Sequence, residues 1–92
     1  MTAGVRFRHA SDTAWRRVDD QAAIISMDAN RIRMLNPVGT FLWERCDGAT
    51  LDELALSLSE RYGLDRDTAT RDAAAFLDDL KRRGMIHEEP LA

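Results

Sequence analysis

The hydrophobic period of this 92-residue chain changes near residue 36, and that change bounds the fold more tightly than any other feature. Before it, apolar residues sit in short runs between turn residues; after it, they recur at helical spacing. Ala14–Val18 (AWRRV), Ala22–Met27 (AAIISM) and Arg31–Leu35 (RIRML) read as three strands. The second is apolar on both faces, as a central strand would be, and the third alternates strictly. Asp19-Asp20-Gln21 and Asp28-Ala29-Asn30 are the breaks between them, and Asn30 tolerates a left-handed conformation. Connections this short make an antiparallel meander. Val5 and Phe7 alternate with Arg6 and Arg8, the pattern of a further extended segment.

From Asn36 the signals are helical. Asn36-Pro37 sets a capping residue before a proline at the first helical position. Val38, Phe41, Leu42 and Cys46 follow at helical spacing, and Asp47-Gly48 ends this first helix. Thr50-Leu51-Asp52-Glu53 has the capping-box pattern. Leu51, Leu54, Ala55 and Leu58 then form one stripe, closed by Gly63. Asp65 or Asp67 starts a third helix, whose core stripe is Ala69, Ala73, Leu77 and Leu80 and whose stop is Gly84. Met85 and Ile86 read as an apolar segment returning to the core. Trp43, beside Phe41 and Leu42, reads as core, whereas Trp15 is a candidate surface aromatic. The expected class is α+β: a three-stranded antiparallel sheet followed by three helices, in a single domain spanning residues 1–92.

Composition narrows the chemistry. The lone Cys46 excludes an internal disulfide and leaves no thiolate pair for zinc. His9 and His87 stand without partnered carboxylates, and Ser11, Ser26, Ser57 and Ser59 lack a nucleophile-elbow context. The five glycines are scattered and build no phosphate loop. The acidic pairs Asp19-Asp20, Asp78-Asp79 and Glu88-Glu89 are sequence neighbours, which diverge on any regular element. No catalytic residue, metal set or cofactor is therefore expected, and the chain is not expected to be an enzyme. The longest unbroken apolar run, Ala73–Leu77, is five residues; a membrane helix needs about 20. No charged n-region followed by an apolar h-region opens the sequence, so the expected compartment is the cytoplasm.

Two binding functions compete. In a meander that runs directly into helices, the third strand is an edge with unpaired N–H and C=O groups. A helix beside it makes a groove in which an extended peptide adds as a strand. Arg31 and Arg33 suit an acidic peptide, but the same arginines also guard an edge against self-pairing, and the residues leave both readings open. The alternative is a DNA-binding regulator of winged-helix type with the third helix as reader. Charge opposes it. Net charge is −3: residues 1–45 carry seven basic residues against five acidic, and residues 46–92 carry six against eleven. The third helix mixes Arg66, Arg71, Lys81, Arg82 and Arg83 with Asp65, Asp67, Asp72, Asp78 and Asp79, whereas phosphate binding needs a basic face.

LNPVGTFLWERCDG (Leu35–Gly48), TLDELALSLSERYGLD (Thr50–Asp65) and RDAAAFLDDLKRRGMI (Arg71–Ile86) together resemble the PqqD family. The resemblance lies in the ordered set Leu35-Asn36, Gly39, Trp43, Gly48, Phe76-Leu77 and Gly84, and with the preceding strands it covers roughly residues 14–86. It implies a winged-helix-like fold and a small, non-catalytic peptide chaperone that recognises ribosomally made, post-translationally modified peptides. It implies that the leader segment of a precursor pairs with the third strand beside the third helix and is presented to a maturation enzyme, a radical-SAM protein or a leader peptidase. Neither nucleic acid nor membrane is an implied partner. Leu35, Asn36, Gly39 and Trp43 would be structural. The binding role would fall on Arg31, Ile32, Arg33 and Met34 and on the helix face of Asp72, Ala75, Phe76, Asp79 and Arg83. RIRM departs from the more aromatic strand of relatives, which leaves the precursor open. The sequence resembles a stand-alone member without a fused enzyme, and strand exchange or edge pairing would make it a homodimer. Proline at position 33 is expected to weaken binding if that N–H points outward.

Overall fold

The computed structural model describes residues 4–27 and 30–91. Its elements are β1 (Val5–His9), β2 (Thr13–Val18), β3 (Gln21–Ser26), β4 (Arg31–Met34), α1 (Pro37–Cys46), α2 (Leu51–Tyr62), α3 (Arg66–Arg82) and β5 (Ile86–Pro90). The expected meander is present as an antiparallel sheet of order β2-β3-β4, followed by three helices. The fold is α+β and, loosely, winged-helix-like. The extents of 36 × 34 × 17 Å describe two layers, sheet on helices.

Local chemistry fixes the helix starts. Asn36 Oδ1 accepts from Gly39 N at 2.7 Å with Pro37 opening α1. Thr50 and Glu53 close both halves of the capping box on α2. Asp65, rather than Asp67, caps α3, and left-handed Gly63 ends α2. The predicted stripe Ala69, Ala73, Leu77 and Leu80 is buried, as are Met85 and Ile86. Trp43 is fully buried, with His9 stacked on it at 3.6 Å and the half-exposed Trp15 edge-on at 6.2 Å.

The sequence reading falls short in two places. The Val5–Phe7 segment is a strand, and its partner is the chain's end: β1 and β5 form a second, two-stranded antiparallel sheet, Val5 opposite Pro90 and His9 opposite Ile86. IHEEP has no alternating apolar pattern; its strand character comes from backbone pairing with residues some eighty positions away, which no local signal encodes. Nor is β3 buried on both faces. Ala22, Ile24 and Ser26 face the helices, whereas Ile25 on the other face is 41% exposed, because a single helical layer covers one side of the sheet. The turn expected at Asp28 and Ala29 lies outside the described residues; Asn30, next to it, has φ +53°, the left-handed conformation expected of it.

Candidate functional site: the open edge of β4

The pairing register sets what β4 offers. Ile24 lies opposite Arg33 and Ser26 opposite Arg31. Leu35 N donates to Ala22 O at 2.8 Å, continuing the same register. In an antiparallel ladder, alternate residues aim both backbone groups at the partner strand. Arg31, Arg33 and Leu35 therefore face β3, while Ile32 and Met34 direct their N–H and C=O groups to the open edge. Met27 N donating to Asp12 O at 2.9 Å gives the matching phase on the β2 side. The N–H of Arg33 is thus committed inward, so the proline expected to weaken binding belongs at 32 or 34, and at 33 it breaks the sheet itself.

Side chains follow the same alternation. Residues directly opposite one another share a face. Arg31 and Arg33 join buried Ile24 and Ser26 on the side toward the helices, and Ile32 and Met34 lie on the outer face, 72% and 53% exposed. The upper end of the ladder is closed by Thr40. Its buried hydroxyl accepts from Ala22 N at 2.7 Å and lies 3.4 Å from Leu35 O, standing in for a cross-strand hydrogen bond.

α3 is the second wall. Asp79 Oδ2 sits 2.9 Å from Arg33 Nη2 and 3.2 Å from Arg83 Nε, so one carboxylate serves two guanidinium groups. Between the walls lies a cavity of about 360 Å³ lined by Arg31, Ile32, Arg33, Met34, Arg83 and Met85. Arg33 Nε is buried there without a hydrogen-bond acceptor. The strand positions 31–34 named from sequence are thus brought together with Arg83 and, through its ion pairs, Asp79. Asp72 and Ala75 lie exposed farther along α3 and do not line this cavity. Phe76 is half-buried over the start of α1, where a Cβ on Gly39 would meet its ring at 3.4 Å. The order Arg83, Asp79, Phe76 therefore tracks β4 from Arg31 toward Asn36. Met85, in the floor, was assigned only to the core; its place behind β4 depends on the turn at Gly84, φ +72°, which local pattern does not orient.

Cys46 and His9 are held in structural contacts. Cys46 Sγ is buried against Trp43 O at 3.3 Å, and burial pushes its thiol up to about 12, a poor nucleophile. His9 Nε2 lies 2.8 Å from Trp43 O. Among the described residues no three His, Cys, Asp or Glu side chains are grouped to hold a metal ion, and no helix is long and apolar enough to cross a membrane. Basic residues at the end of α3 are matched to carboxylates: Arg82 to Asp78, Arg83 to Asp79 and Lys81 to Glu88.

Comparison with known proteins places the fold among known ones. Residues 14–86 match the family model described as coenzyme PQQ synthesis protein D (PqqD). The fold is similar to that of TbiB1 in complex with the TbiA(beta) leader peptide, with a TM-score of 0.82, 21% identity, and coverage of 87% of this chain and 94% of that one. It is also similar to lasso peptide synthetase B1 complexed with the leader peptide, with a TM-score of 0.80, 25% identity, and coverage of 89% and 98%. No curated protein matches the chain. The matched span takes in all of the β2-β3-β4 sheet but Thr13 and all three helices, and the chain belongs to the PqqD family.

Proposed function

We propose that the chain binds the leader segment of a ribosomally made precursor peptide, which adds as a strand to β4 and lies against α3, and that it presents the precursor to a maturation enzyme such as a radical-SAM protein or a leader peptidase. The observation that carries this reading is the open backbone of Ile32 and Met34 facing a cavity walled by α3. Both similar structures are described as leader-peptide complexes, which supports it. Four edge groups and a few side-chain anchors suit micromolar affinity, about −8 kcal/mol. The protein acts by binding and leaves chemistry to its partner, in the cytoplasm, as a monomer or as an edge-paired dimer. The carboxylate-matched basic residues of α3 count against the DNA-binding alternative.

The test is amide chemical-shift mapping with the leader of a precursor encoded beside this chain's gene. Shifts at Arg31–Leu35 and along Phe76–Arg83 are expected. Shifts confined to Thr50–Tyr62 would overturn the assignment.

A further inference from the structure

We infer that the β4–α3 cleft selects leaders carrying a carboxylate on the side of the peptide strand that faces α3, and that Arg33, helped by Arg31 and Arg83, reads it; this rests on the leader reading above. A strand added to β4 bonds to the outward groups of Ile32 and Met34, so its residues opposite those two point to the outer face. The residue between them lies opposite Arg33 and points into the cleft. Among the described residues it meets there three guanidinium groups and one carboxylate, Asp79, an excess of positive charge beside the apolar floor of Met85. Asp79 is already divided between Arg33 and Arg83. The Arg33 side chain is 32% exposed beside Asp79, so its guanidinium keeps an accessible edge for an incoming carboxylate. Among the described residues the outer face is apolar there, with Ile25 opposite Ile32 and Ala23 opposite Met34, so the same charge shifted by one residue gains nothing.

The experiment selects short randomised peptides on the full chain, maps the winners by amide shifts and measures their affinity. Peptides that shift Ile32 and Met34 should carry Asp or Glu at one cleft-facing position. Changing that acid to its amide should weaken binding about tenfold, and moving it by one residue should do the same. Asp79→Asn, checked for folding by thermal melting, should strengthen the acidic peptide more than its amide version. Winners that shift β4 but lose nothing on acid-to-amide change would overturn the inference and leave the leader reading standing. Winners whose shifts avoid β4 would overturn both.

Discussion

β2 and β4 flank the same sheet, and each leaves alternate backbone groups without a strand partner: Trp15 and Arg17 on β2, Ile32 and Met34 on β4. Their side chains dispose of that edge differently. On β2, Trp15 turns its ring edge toward buried Trp43, and Arg17 folds back onto Asp19 O at 2.9 Å and onto Glu44 of α1 at 3.2 Å. On β4, Arg33 crosses to Asp79, and the space between strand and helix stays open at about 360 Å³. An unpaired strand edge is common and is usually guarded. On the reading proposed above, such an edge becomes a recognition site where a second wall faces it across an open cleft, and α3 supplies that wall along β4.

The largest effect that tests this comparison comes from Arg33→Pro. Its N–H faces Ile24, so proline removes a ladder bond and leaves a carbonyl without a donor, at about 2–3 kcal/mol in chemical denaturation. Thr40→Val comes next. It strips Ala22 N of its 2.7 Å partner at the closed end of the β3–β4 ladder and should cost about 1–2 kcal/mol. A smaller effect, on binding rather than folding, is expected for Ile32→Pro. Its outward N–H serves only a bound peptide, so affinity should fall about tenfold by calorimetry while the fold survives. Arg17→Pro removes an outward donor from the β2 edge and should leave affinity unchanged. Equal losses from the two outward prolines would erase the distinction between the edges.

Much of this was legible in the sequence because the signals are local. Asn36-Pro37, Thr50-x-x-Glu53 and Asp65 announce helix starts through their own side chains, and the stripe from Ala69 to Leu80 fixes the core face of α3. Residues Arg31–Met34 were recognisable as a polar-guarded edge for the same reason. What the sequence withheld depends on phase and distance. Strict alternation in RIRM separates Arg31 and Arg33 from Ile32 and Met34, but only the register against β3 tells which pair faces α3 and which backbone groups face out. The β1–β5 pairing joins opposite ends of the chain. The exposure of Ile25 reflects where the helices lie, not its apolar neighbours. Asp72 and Ala75 share a helical face with Asp79, yet that face runs past the end of the cavity.

The smallest effect separates the two ends of the α3 wall. Asp65 caps the helix far from the cleft, accepting from Thr68 N at 2.8 Å and Thr68 Oγ1 at 3.2 Å. These donors, the backbone one foremost, hold its carboxyl below its usual value of 3.8. A depressed folded-state pKa gives stability that is complete above the unfolded value and is lost as pH falls through the folded one. Asp65→Ala should therefore lower the melting temperature slightly at neutral pH, and the gap to the parent should close once the medium is acidic enough to protonate the cap. Asp65→Asn keeps the acceptor without the charge and should restore most of the loss with no such pH dependence. Because only the first turn of α3 frays, the Arg83 end of the wall stays in place and affinity at the β4 edge should not change. A binding loss matching that of Ile32→Pro would mean that the cleft needs the whole helix rather than its near end.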